Sequence, residues 1–363
     1  MPRTGKADLP LHPGRAPRWL FSRMTRLSGA ITEAIVTEFG TLEFLRRLSD
    51  PCWFQSLGCL LGFDWHSSGL TTTLTGALKL ALSRGLDREL GLFAAGGKGA
   101  TSRKTPNEIE NISSFLGIDP APLVHASRMS AKVDAAALQD GYQLYHHAFF
   151  FDAGGSWCVV QQGMNEETKY ARRYHWLSER LVSFVEEPHA GIASERTGFA
   201  LDMTSAESGP AREASAILSR RTPDENLRDL IRIKELNLPR EHRVLLSSVN
   251  PLYIRKTLLS AYENPPQGFE ELLGREGVGA KTIRALALLS DVIYGARPSF
   301  HDPVVYSFAH GGKDGHPYPV NQELYDRTIA VLERAIKKAK MGQREETEAL
   351  RRLGRYFIAI RKP

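Results

Sequence analysis

The chain is poor in cysteine. Cys52, Cys59 and Cys158 are its three thiols in 363 residues, and no two have the C-x-x-C spacing. An odd, sparse set argues against a disulfide framework, a zinc ribbon and an iron–sulfur cluster. The three read as small apolar fillers in a reducing compartment. No apolar run is long enough to cross a bilayer. The first residues, with Arg3, Lys6, Pro10, His12, Pro13 and Pro17, do not have the form of a secretory signal. The expectation is a cytoplasmic protein without membrane association. No internal repeat is present. Gly96-Gly97-Lys98-Gly99 lacks the Walker spacing and its Lys-Ser/Thr ending, so no nucleotide site follows from it. An acidic excess is missing as well: 47 Lys and Arg stand against 41 Asp and Glu, a net charge of +6.

What is present is the composition of a globular protein, 42% hydrophobic and 24% charged. The length exceeds one ordinary core and predicts two or three domains. Arg3, Lys6, Arg15, Arg18, Arg23 and Arg26 face one early acid, Asp8, and a second basic patch (Lys337, Lys338, Lys340, Arg351, Arg352, Arg355) closes the chain. Such patches suit a polyanion, and equally a solvated face with counter-charges such as Glu345, Glu346 and Glu348.

Periodicity divides the chain. Residues 1–30 read as a basic arm, 31–185 as an α+β domain, 186–222 as a connecting segment and 223–363 as a helical domain. Helical spacing covers about 30–62 and 73–85, a strand begins near Leu90, and Thr105-Pro106-x-Glu108 has the form of a capped helix start. Ala148–Asp152 and Ser156–Gln162 predict a β-hairpin, with Phe149–Phe151 and Trp157 in the core. Asn165–Arg180 reads as a helix, and its Arg172-Arg173-Tyr174-His175-Trp176 suits either nucleic-acid stacking or inward aromatic packing. Thr222-Pro223-x-Glu225 is again a capped helix start, and from Pro223 the pattern is helical, in runs near 224–236, 240–248, 251–262, 268–274, 280–294, 303–309, 321–340 and 344–360. The fold class is α+β, mostly helical: a short sheet in the N-terminal region and an all-helical C-terminal domain.

The clearest functional signal is Leu272-Leu273-Gly274-Arg275-Glu276-Gly277-Val278-Gly279-Ala280-Lys281-Thr282. A short helix ends in a Gly-x-Gly turn and a second helix opens at once, which is the form of a helix-hairpin-helix. Glycines at 277 and 279 permit positive φ and leave amides unshielded. Those amides and the N-terminus of the next helix suit a phosphate, with Lys281 adding charge and Thr282 a hydroxyl. Such contacts hold the backbone of a nucleic acid without reading sequence. A plain turn between packed helices would have the same spelling. The predicted DNA-binding residues are Gly277, Val278, Gly279, Lys281, Thr282 and Lys313, and the partner is double-stranded DNA.

Glu276–Thr282 resembles the hairpin of the helix-hairpin-helix DNA glycosylases. Those enzymes follow it with a helix, a Gly/Pro-rich loop and a catalytic aspartate that caps another helix. Here Gly295–His301 stands in the place of the loop and Asp302-Pro303 follows it. The resemblance implies that Lys281 forms a Schiff base with the sugar C1′ and that Asp302 assists, in a glycosylase or abasic-site lyase that requires no cofactor. The chain has His301-Asp302-Pro303-Val304 where that family carries Val-Asp-Thr-His, and it lacks the cysteine cluster found in some members.

A second resemblance spans nearly the whole chain. Arg3-Thr4-Gly5-x-Ala7-Asp8-Leu9-Pro10-Leu11-His12, Gly96–Gly99 and Phe308–Gly315 are similar to a prokaryotic family of unknown function, domain-of-unknown-function family 763. It implies an intact multi-domain protein of that family.

Two other chemistries compete. His301, His310, Asp314 and His316 could hold a divalent metal ion for a nuclease, and Lys313 among glycines could contact phosphate. Asp152 with Gln161 and Gln162 has the outline of a nuclease strand pair, but lacks the second carboxylate and the lysine. A non-catalytic DNA-binding module needs only the hairpin and the basic arm.

Overall fold

The computed structural model describes residues 18–63, 68–194, 196–234 and 251–304, with Arg334, Lys337, Thr347, Leu350 and Arg351 beyond them. In chain order the described elements are α1 (Arg18–Phe39), α2 (Thr41–Leu48), α3 (Pro51–Leu60), α4 (Gly69–Ala81), α5 (Asp87–Leu90), β1 (Leu92–Lys98), α6 (Thr105–Leu116) and α7 (Ala121–Lys132). There follow β2 (Leu138–Gln139), β3 (Gln143–Asp152), β4 (Trp157–Met164), β5 (Ala171–Leu177), β6 (His189–Ala193) and β7 (Leu201–Asp202). The last are α8 (Gly209–Ser219), α9 (Pro223–Lys234), α10 (Pro251–Glu263), α11 (Phe269–Gly274) and α12 (Ala280–Tyr294). The fold is α+β and mostly helical.

An antiparallel sheet in the order β1-β3-β4-β5-β6 forms the middle layer. Both of its faces are covered, which explains why β3 and β4 read as continuous apolar runs rather than alternating ones. Ala148, Phe150, Cys158 and Val160 join Leu45, Phe54, Leu74 and Leu78 from the α1–α4 layer. Phe149, Phe151, Trp157, Val159 and Trp176 join Met129 and Val133 on the other face. Each fully buried Phe of the 149–151 run contributes roughly 1.5–3 kcal/mol of burial. The second core continues without a break through Leu230, Ile254, Leu272, Ile283 and Leu286, so the helices after Pro223 pack into the same apolar body as the sheet.

Several expectations change. The run at 30–62 is three helices, because Gly40 takes φ +84 between α1 and α2 and Asp50 caps α3. Asp50 Oδ1 accepts from the Cys52 amide at 2.8 Å and the Trp53 amide at 3.3 Å. The arm read as 1–30 is already helical from Arg18, and residues 1–17 lie outside the described set. Residues 171–177 are a strand, not a helix. Ala171–Leu177 pairs with β4 from Met164 to Cys158, and side-chain burial on two faces overrides its helix-like spacing. The connecting segment 186–222 contains β6, β7 and α8. The box predicted at Thr105 is not formed: Lys104 precedes the helix and Glu108 Oε2 instead accepts from the Gly96 amide at 2.8 Å. The box at Thr222 does form, with the Thr222 amide donating to Glu225 Oε2 at 3.1 Å and the Glu225 amide to Thr222 Oγ1 at 3.4 Å. Residues 303–304 are not helical, and the runs predicted at 240–248 and beyond 304 lie outside or almost wholly outside the described residues.

Candidate nucleic-acid interface and the buried arginines

The α11–α12 turn has sharply divided surroundings. Gly277 takes φ +81, the left-handed region that a side chain rarely enters. Gly279 is extended at φ −138 and needs no such freedom. What it supplies is space: a Cβ there would meet nothing within 4 Å. Gly279 also stands at the N-cap of α12 and offers no capping side chain. The amides of Ala280, Lys281 and Thr282 therefore have no intrahelical acceptor, and the positive end of the helix dipole is uncovered.

The predicted residues separate here. Gly277 and Lys281 are exposed and Gly279 is half-buried. Val278 and Thr282 are buried, so the turn's valine belongs to the core and the Thr282 hydroxyl is turned away from solvent. Among the described residues, no hydrogen bond to the Thr282 hydroxyl is formed. Lys256, exposed on α10, was not anticipated; its neighbour Thr257 packs against Gly277. The carbonyl side of the turn is occupied. Lys132 Nζ donates to the Arg275 carbonyl at 3.0 Å and to the Val278 carbonyl at 2.5 Å. Gln139 Nε2 donates to the Ala280 carbonyl at 2.9 Å, and Arg284 Nε donates to Gln139 Oε1 at 2.7 Å. A groove of about 1080 Å³ lies beside the turn between α7 and α11. Arg128, Lys132 and Arg275 there balance Glu110, Glu270 and Glu271, so its charge does not extend a phosphate track.

Asp302 sits in different surroundings. Arg172 of β5 holds it at two points, Nη1 to Oδ1 at 3.0 Å and Nη2 to Oδ2 at 2.8 Å. The Gly198 amide donates to Oδ2 at 2.9 Å and the Val304 amide to Oδ1 at 3.2 Å. The last bond is that of an Asx-type turn; the helix expected to open at Asp302-Pro303 is not present at 303–304. Arg172 Nη1 also donates to Asp140 Oδ2 at 2.8 Å, and Tyr174 Oη donates to the same oxygen at 2.7 Å. Burial opposes the Arg172 charge, yet Asp140, Tyr174 and Asp302 outweigh it and raise its pKa. Burial pushes the Asp140 carboxyl up, against the pull of Arg172 and Tyr174. No hydrogen bond or ion pair joins Asp302 to Lys281 among the described residues.

His301 is exposed, with Nδ1 3.8 Å from Glu207 Oε2. His310, Lys313, Asp314 and His316 lie outside the described residues, and no group of three metal-ligating side chains occurs among those described. Asp152 ends β3, paired with Leu92: its Oδ1 accepts from the Ser156 amide at 2.9 Å and its Oδ2 from Thr41 Oγ1 at 2.9 Å.

The Arg172–Trp176 pentapeptide carries more structure than its spelling suggested. All five side chains are buried, on alternating faces of β5. Arg173 points into the α3–α4 layer, where Nε donates to His175 Nε2 at 2.8 Å and Nη1 to Gln55 Oε1 at 2.9 Å. Burial pulls its pKa down to about 9, with Cys52 and Cys59 opposing. On the opposite face Asp134 accepts from Trp176 Nε1 at 3.0 Å, Gln161 Nε2 at 2.5 Å and His189 Nε2 at 2.5 Å. Two adjacent arginines within an aromatic strand were the available signal. Its meaning depended on a strand assignment that sends neighbours to opposite faces.

These features define an α+β protein with a doubly covered antiparallel sheet, an exposed turn between α11 and α12 and a buried arginine–carboxylate anchor. Residues 5–320 match the family described as "Protein of unknown function (DUF763)", and the chain belongs to that family. No curated protein and no solved structure matches it.

Proposed function

We propose that the protein is a DNA-binding component of DNA repair or processing, and that it grips the duplex backbone at the α11–α12 turn. The observation that carries this reading is the first turn of α12, uncapped by Gly279: among the described residues its amides have no acceptor beside exposed Lys281, and Gly279 leaves room for a phosphate to approach. The carbonyl edge of the same turn is engaged inward by Lys132 and Gln139, so the solvent side presents donors. Lys256 adds a second exposed cation near the turn. Recognition of this kind is independent of sequence and weakens with salt.

The test is fluorescence anisotropy with a labelled duplex across a salt series. Gly279→Asp places a side chain and a negative charge at the uncapped N-terminus and is expected to abolish measurable binding. Lys281→Ala is expected to lower the salt slope by roughly one ion. Unchanged affinity and slope in both variants would remove the turn from the interface. Lys281 enters as a phosphate contact; a lyase role would require Asp302 to act while held by Arg172, or to leave it.

A further inference from the structure

We infer that Lys132 and Gln139 are positioning residues for this interface: they fix the α11–α12 turn by its carbonyl oxygens and so aim its amides outward. The inference rests on the nucleic-acid reading for its functional meaning and on the hydrogen bonds of the turn for its mechanism. Every peptide unit in a turn carries an acceptor and a donor on nearly opposite sides. Binding the acceptors on one side settles where the donors point.

The clamp is specific. Lys132 ends α7, and its ammonium bridges two carbonyls, those of Arg275 and Val278, that flank Gly277. Arg275 also accepts from the Val278 amide at 3.3 Å, which closes the turn itself. Gln139 fastens the Ala280 carbonyl at the start of α12, and spans to the Ala136 carbonyl at 2.9 Å and to Arg284. All three carbonyls are therefore taken by side chains from the sheet-bearing part of the chain, more than 140 residues earlier for Lys132 to Arg275 and Val278. Lys132 is half-buried, and burial pulls its pKa down, so holding its charge there has a cost that the carbonyl bonds offset. Among the described residues the ammonium has no carboxylate in hydrogen-bond contact; its bonds are to the turn.

The adjoining residue makes the clamp continuous with the sheet. Gln139 reaches to α12, and Asp140 beside it accepts from Arg172 and Tyr174. One dipeptide thus ties the turn to the buried arginine.

The experiment combines hydrogen exchange with binding. In Lys132→Met, exchange of the hydrogen-bonded Val278 and Ile283 amides in the free protein is expected to accelerate roughly tenfold or more, as a local opening, while β3 and β4 keep their protection. Duplex binding should weaken, and Lys132→Arg, which keeps charge and donors, should recover part of both losses. Gln139→Met is the second variant should Lys132→Met fold poorly, with the acceleration expected at the Ile283 amide. Unchanged exchange of the Val278 and Ile283 amides in both variants overturns the inference. So does a Lys132→Met variant whose exchange is unchanged while its salt slope falls by about one, because Lys132 would then be a phosphate contact itself. If the wild type binds no duplex but exchange accelerates as stated, the clamp stands and the nucleic-acid reading falls.

Discussion

Arg172 and Asp302, 130 positions apart, meet as a two-point ion pair with side chains only 1% and 6% exposed. The pair joins β5 to the segment that follows α12. It explains why an aspartate follows the Gly/Pro loop at 295–301 without invoking chemistry: the carboxylate receives a guanidinium and two backbone amides. A carboxylate so occupied holds the chain in place.

Removing the cation should be far more damaging than removing one anion. Arg172→Met would leave Asp140 and Asp302 facing each other uncompensated, at an expected cost of about 3–5 kcal/mol. Asp302→Asn keeps an acceptor and leaves Arg172 paired with Asp140, so its cost should be about 1–2 kcal/mol. Urea unfolding of both variants checks the ranking. An Arg172→Met loss below about 1 kcal/mol, the scale of an exposed pair, would show that the anchor is not desolvated.

Stability should fall in mild acid, and the sheet histidines give the sign. Burial lowers His146 from 6.5 to about 3, assisted by His147 and Lys98, and burial also lowers His147 and His175. A depressed folded pKa means that the unfolded chain binds protons first. The contribution is fully present above pH 6.5 and is lost as pH falls from there toward the folded value. Each such histidine removes up to about 1.4 kcal/mol per pH unit below its unfolded pKa. Unfolding free energies at pH 7.5, 6 and 5 should decline progressively, and His146→Gln should flatten part of that decline. A stability curve level from pH 7.5 to 5 would contradict this account.

The sheet was legible where local chemistry sufficed. Phe149–Phe151 followed by Gly154-Gly155 announced β3 and β4, and Thr222-Pro223-x-Glu225 announced α9 through a box that forms. Gly-Val-Gly likewise placed the α11–α12 turn, because left-handed φ at Gly277 is a local demand. Ala171–Leu177 was not legible, since its strand identity comes from pairing with β4 and from helices on both faces. Lys132 and Gln139 were invisible for the same reason: a lysine and a glutamine spell nothing until the fold brings carbonyls from 275–280 to them. Asp302 was read by its neighbours in sequence, whereas its partner lies across the molecule.

The two turn glycines should behave differently. Gly277→Ala has room, since its Cβ would lie 3.7 Å from Thr257 Oγ1, but must adopt φ +81. The expected loss is about 1–2 kcal/mol, with a matching loss of duplex affinity as the turn relaxes. Gly279→Ala meets no atom and keeps an extended φ of −138, so stability should change by less than about 0.5 kcal/mol. Any loss of binding in that variant would then report a phosphate approaching Cβ. Equal destabilisation by the two changes would mean that the turn geometry at 277–279 is not as described.

Lys281 gives the sharpest separation between gripping and cutting. A lyase needs its amine to add to the C1′ aldehyde of an abasic site, expel water and form an imine that borohydride reduces to a stable amine. A neighbouring group must take the ammonium proton first. Asp302 is bound by Arg172 and does not contact Lys281, and no other carboxylate pairs with Lys281 among the described residues. Incubation with abasic-site duplex and borohydride is therefore expected to yield no more trapped adduct in the wild type than in Lys281→Ala, while intact and abasic duplexes bind with similar affinity. An adduct present in the wild type and lost in Lys281→Ala would establish imine chemistry. It would further require Asp302, or another base, to reach Lys281 in the bound state, and Asp302→Asn would then decide between those two.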